Sequence, residues 1–113
     1  MKKMEVEALN IHADDPLVWS RLATRNIVVL TVYSIWNQEK RPMTHAEIVE
    51  SVITQIKKRV KDETWKKAWK LPSERDVGRR IQEALVGTHY LDKIARLTEV
   101  KSRVYQPNME RFK

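Results

Sequence analysis

The chain has 113 residues, no cysteine and a formal net charge of +7. That length suits a single domain with its own core, and a composition 42% hydrophobic and 33% charged reads as globular rather than disordered. The lack of cysteine excludes thiolate metal sites, thiol catalysis and disulfides, and fits an intracellular protein.

Residues 1–14 have weak periodicity and are expected to form an N-terminal arm or an extension of the first helix; Met1-Lys2-Lys3 is not followed by the apolar run of a secretory signal. Asp15-Pro16 has the chemistry of an N-cap followed by proline at the first helical position, so a helix is expected from Pro16 to about Gln38. Within it, residues 27–36 are apolar on nearly every side. Their β-branched content leaves a strand open, but the length of the segment and the absence of a turn signal favour a helix. Thr31 and Ser34 interrupt the run, which is too short to span a bilayer, so a soluble, cytoplasmic protein without membrane contact is expected. A helix apolar all round must be buried on more than one face. That predicts a homodimer, with Leu17, Trp19, Ile27, Val28, Val32 and Ile35 as interface candidates.

Arg41-Pro42-Met43 is a break, and Thr44-His45-Ala46-Glu47 after it has the spacing of a capping box, with Met43 and Ile48 placed as a hydrophobic staple. Ile48, Val49, Val52, Ile53, Ile56 and Val60 mark the inner stripe of a second helix reaching at least Arg59. Trp65 and Trp69, four apart, are expected on one face of a further helical turn. Leu71-Pro72-Ser73 is the next break. Ser73 is a good N-cap, Asp76 lies near the positive helix end, and Gly87 is placed to stop a third helix. Val77, Ile81, Ala84 and Leu85 form its inner face. Residues 90–97 and 104–106 read as two strands with a turn over 98–103. Pro107 closes the domain, taken as residues 15–107, and 108–113 form a polar tail.

Charge is concentrated along this order. Residues 57–80 carry ten Lys and Arg against four Asp and Glu, whereas residues 1–56 carry six against seven. A local basic patch suits a polyanion or acidic partner; a solvated Lys-rich helix face is the plain alternative.

A helix, a capped helix, a break, a basic helix and a closing hairpin make a mainly α domain with a small β-hairpin. The stretch Ser73-Glu74-Arg75-Asp76-Val77-Gly78-Arg79-Arg80-Ile81-Gln82-Glu83-Ala84-Leu85, followed by a hairpin with basic residues, resembles the recognition helix and wing of the winged helix-turn-helix superfamily. The resemblance covers roughly residues 17–107 and extends in size and charge to small archaeal viral and plasmid winged-helix proteins, including regulators and partition-site binders. Two departures stand out. Residues 61–71 are longer than the tight turn between the second and third helices of that family, and the match of residues 41–43 to its short first strand is loose. The resemblance implies a three-helix core plus wing and binding of double-stranded DNA for transcriptional regulation or plasmid or chromosome partition.

At 100° per residue, Arg75, Arg79 and Gln82 form one stripe opposite Val77, Ile81 and Ala84, as base-reading residues in a major groove would. Arg pairs with guanine and Gln with adenine in that geometry. Arg80, toward the flank, suits a phosphate, as do Ser73 and the amides at the helix start. Glu83 is placed to read cytosine or to pair with Arg79. Lys101 and Arg103 near the hairpin tip, and Lys66, Lys67 and Lys70 before the third helix, are the further backbone candidates. The four tryptophans read as core or dimer residues. Two other functions stay open: docking of a protein partner through the third helix or wing, and binding of single-stranded nucleic acid or RNA through the Trp65-Lys66-Lys67 segment. His12, His45 and His89 are scattered, and no phosphate loop or nucleophile motif is present, so neither an enzyme nor a metal or cofactor site is expected.

Overall fold

The structure is a computed structural model and describes residues 16–87 and 94–109. Among these the chain is mainly helical, with three helices and a small three-stranded antiparallel sheet. The order is α1 (Pro16–Glu39), β1 (Met43–Thr44), α2 (His45–Lys61), α3 (Glu74–Val86), β2 (Leu97–Lys101) and β3 (Val104–Pro107).

Residues 27–36 are helical. Ser20, Thr24, Ile27, Val28, Thr31 and Val32 recur at helical spacing and face inward, against α2, α3 and β3. The hydroxyls on that face are satisfied within the helix: Ser20 donates to the Leu17 carbonyl, Thr24 to Ser20 and Thr31 to Ile27, at 2.9, 2.7 and 2.6 Å. This corrects the interface expectation for Ile27, Val28 and Val32, which are buried in the core of a single chain, and Ile35 packs half-buried against that core. Because the sheet and two helices surround α1, the domain itself covers most of its apolar surface. Leu17 and Trp19 remain 37% and 41% exposed, and Leu30, outside the expected set, is 64% exposed.

The capping box at α2 is present in full. The Glu47 amide donates to Thr44 Oγ1 at 3.2 Å, and the Thr44 amide donates to Glu47 Oε1 at 3.0 Å. Met43 and Ile48 are both buried beside it. The inner stripe runs through Ile48, Val49, Val52 and Ile56; Val60, at its end, is exposed.

Beyond Lys61 the expectation fails, because residues 62–73 do not continue the helix. Asp62 caps α2, Glu63 adopts a positive φ of 60°, and the Thr64 amide returns to the Arg59 carbonyl at 2.8 Å. This turn drives Trp65 into the core, 6% exposed. Trp69 still meets it, edge to face with ring centroids 5.2 Å apart, through a folded-back loop rather than a shared helical face.

The hairpin is also displaced from its expected limits. The paired strands are 97–101 and 104–107, so part of the expected turn is strand; of the expected first strand, residues 90–93 lie outside the described residues and 94–96 precede the strand. Leu91, Ile94 and Leu97 recur every third residue rather than every second, which a strand with one buried face does not favour. Leu97, Tyr105 and Pro107 face inward. The sheet order is β1-β3-β2, with Met43 opposite Tyr105 and Thr44 opposite Val104, so the short segment after the first break is a true strand. Tyr33 of α1 donates to the Arg96 carbonyl at 3.0 Å and ties the start of the hairpin to the helical layer.

Candidate nucleic-acid interface

α3 begins at a second reciprocal cap. The Asp76 amide donates to Ser73 Oγ at 3.1 Å, and the Ser73 amide donates to Asp76 Oδ2 at 3.0 Å. The Ser73 backbone hydrogen bond lowers the Asp76 pKa, so the carboxylate is charged. The far end is closed by Gly87, whose φ of 78° only glycine adopts cheaply and whose amide donates to Glu83 at 2.7 Å. Between these ends Val77, Ile81 and Ala84 are buried, while Arg75, Arg79 and Gln82 are exposed on the opposite face.

Arg80 requires a correction. It is only 7% exposed, with its guanidinium paired to Glu83 three residues on, and it shares a small pocket with Ser20, Thr24 and Asp76. It lies on the side of α3 that packs on α1 and cannot serve a phosphate there. Glu83 is correspondingly withdrawn from Arg79. Ser73 is corrected in part, since its amide is already taken by the Asp76 carboxylate, whose charge opposes a phosphate at that helix end.

Lys66, Lys67 and Lys70 are all exposed. Lys66 Nζ lies 5.5 Å from the centre of the Trp69 ring, and Lys70 Nζ lies 3.8 Å from Asp76. With Trp65 buried, the Trp65-Lys66-Lys67 segment presents no indole from that position for a base to stack on.

Lys101 and Arg103 are exposed at the hairpin tip. Arg103 has a φ of 59°, and its amide donates to Glu99 Oε2 at 2.9 Å. Its carbonyl accepts from the His45 amide at 2.9 Å, and its guanidinium lies 2.9 Å from His45 Nδ1. Burial, then the neighbouring Arg103 charge, lowers the His45 pKa. On the other side of the imidazole, Nε2 lies 3.2 Å from where a β-carbon of Gly78 would stand. Nearby, burial raises the Tyr105 pKa, with the Glu99 charge acting in the same direction and the Arg103 charge against it.

His45 was not among the expected site residues. The capping box accounts for Thr44 and Glu47 but not for either of the two residues between them, His45 and Ala46. The sequence signal that bears on it is Gly78, an unforced glycine in the middle of a helix. The structure thus links α3, which carries Arg75, Arg79 and Gln82, to the hairpin tip through His45 and Gly78. Lys66, Lys67 and Lys70 lie on the approach to α3.

Among the described residues, no group of three or more His, Cys, Asp or Glu side chains could hold a metal ion, and no helix is long and apolar enough to cross a membrane. In comparisons with models of protein families, with curated proteins and with solved structures, the chain matches none.

Proposed function

We propose that the protein is a winged-helix module that binds double-stranded DNA site-specifically, as a transcriptional regulator or a plasmid or chromosome partition factor. In this reading α3 lies in the major groove. Arg75, Arg79 and Gln82 read base edges, and Lys101 and Arg103 hold the backbone. The observation that carries it is the exposed Arg75–Arg79–Gln82 stripe on a helix fixed at both ends and flanked by a basic hairpin tip. The strand order β1-β3-β2 around three helices supports the winged-helix assignment.

A homodimer fits the same reading, since two copies would present two α3 helices to half-sites about one helical turn apart. Trp19, Asn26 and Leu30 are exposed along one stripe of α1 and are the surface on which the second copy is placed.

The test is selection from random duplex and single-stranded pools, followed by affinity measurements on the recovered site. Arg79→Ala should cost about 1–3 kcal/mol on that site and much less on random duplex. Equal losses on both would make Arg79 a phosphate contact. No loss on either, with the protein folded, would shift the basic face to an acidic protein partner.

A further inference from the structure

We propose that His45 is a positioning residue: its neutral imidazole holds Arg103 against the DNA-facing side of α3, so that hairpin tip and helix meet the duplex as one surface. The inference rests on the DNA-binding reading for its purpose, though the contact itself can be read without DNA.

A capping box requires Thr44 and Glu47 and leaves the two residues between them, His45 and Ala46, unconstrained; His45 is the first. At that position this chain places an imidazole between two other elements. An arginine has only donors, so at 2.9 Å the His45 Nδ1 atom must offer a lone pair to the guanidinium and the proton must sit on Nε2. The imidazole is therefore neutral, with its N–H directed toward α3. There Gly78 leaves the space the ring occupies, since a β-carbon would lie 3.2 Å from Nε2. Gly78 is three residues after Arg75 and four before Gln82, so the ring is seated on the margin of the helical face that carries the exposed stripe.

Arg103 is held at three points: its amide on Glu99, its carbonyl on the His45 amide and its guanidinium on the ring. A long side chain held before binding has less rotamer freedom to lose on reaching a phosphate. The charged and titratable groups at the ring are Arg103 from the hairpin tip and Tyr105 from β3, whose ring centre is 6.5 Å away, with Glu99 beside them on the Arg103 amide; α3 faces it with the uncharged Gly78. Protonating His45 would replace the acceptor with a second cation beside Arg103 and release the tip.

The experiment measures duplex affinity across a salt series for the wild type, His45→Ala, Arg103→Ala, the double variant and His45→Asn. The Asn amide oxygen can accept where Nδ1 does. His45→Ala should weaken binding by roughly three- to tenfold and flatten the salt slope by about one contact, as Arg103→Ala does. The double variant should be no weaker than Arg103→Ala alone. His45→Asn should restore affinity and remove its fall toward acid pH. Wild-type affinity in a folded His45→Ala beside a weakened Arg103→Ala overturns the proposal, as does failure of His45→Asn to rescue. The ring nitrogen resonances of His45 in the DNA-free protein separate the two readings. A protonated Nε2, an unprotonated Nδ1 and a pKa that rises in Arg103→Ala support the contact; resonances indifferent to Arg103→Ala overturn it. Absence of duplex binding by the wild type, with those resonances as expected, refutes the DNA reading and with it the purpose given to the contact.

Discussion

Replacing Arg80 with Ala should destabilise the domain rather than weaken a surface contact, whereas Arg79→Ala, one residue away, should leave stability almost unchanged. The Arg80 and Glu83 side chains are 8% and 17% exposed, so removing the guanidinium leaves a carboxylate largely out of water without its partner. Breaking a buried ion pair from one side costs about 3–5 kcal/mol, a large fraction of a small domain's total stability. Truncation would also enlarge the small pocket that Arg80 lines with Ser20 and Thr24, which acts in the same direction. At about 4 °C or more per kcal/mol for a chain of this size, the midpoint of thermal unfolding should fall by at least roughly 12 °C. Arg79, being exposed, should shift stability by no more than about 0.5 kcal/mol. The double variant Arg80→Met with Glu83→Gln removes both charges, keeps the volume and should recover most of the loss. Calorimetry and urea unfolding of the four proteins would settle the matter. An Arg80→Ala protein as stable as the wild type, yet weaker on every duplex, would refute the burial argument and return Arg80 to the phosphate role suggested by the sequence.

Three further outcomes are expected. Because the His45 pKa is lowered by burial and then by Arg103, its contribution to stability is fully present above its ordinary value of 6.5 and is lost as pH falls through the lowered value; urea midpoints should drop on acidification through that window, and less so in His45→Asn. Ser73→Ala should cost about 1 kcal/mol through loss of the cap and leave duplex affinity of the folded protein unchanged, and a selective loss of affinity would restore Ser73 as a phosphate ligand. Trp19→Asp or Leu30→Asp should convert a dimer to folded monomer in sedimentation, whereas Val28→Asp should unfold the chain; a wild type that sediments as monomer at tens of micromolar would remove the dimer from the proposal.

What the sequence conveyed depended on how far apart the interacting residues lie. The capping box of α2, the Ser73 N-cap, the Gly87 stop and the outward stripe of α3 arise within a few residues, and local spacing predicts them. Arg80 sits 100° from Arg79, on the margin of the polar face, and α1, not the spacing along α3, decides whether that margin is wet. Ile27, Val28 and Val32 were assigned to a partner because the number of elements around α1 cannot be read from α1 alone. The hairpin turn carries no glycine or asparagine signal, since Arg103 itself takes the left-handed position, held by Glu99 and His45. His45 and Arg103 are 58 residues apart, so no window of sequence joins them.

The placement of charge along α3 also constrains how it would meet a polyanion. Glu74 and Asp76 occupy the first turn, and the Asp76 carboxylate already takes the Ser73 amide that an end-on phosphate would use. Those acids stabilise the helix through its dipole while repelling an anion approaching along the axis. Approach from the side is different. There Arg75, Arg79 and Gln82 face outward, and the next cations across the surface are Arg103, seated on His45 above Gly78, and Lys101 at the same tip. A duplex would therefore meet the flank of α3 and the hairpin together, with its backbone on the hairpin side. In that geometry the mutual placement of α3 and the hairpin tip limits which groove width is accepted. It is set within the protein, by Gly78, His45 and Arg103, before any duplex would bind.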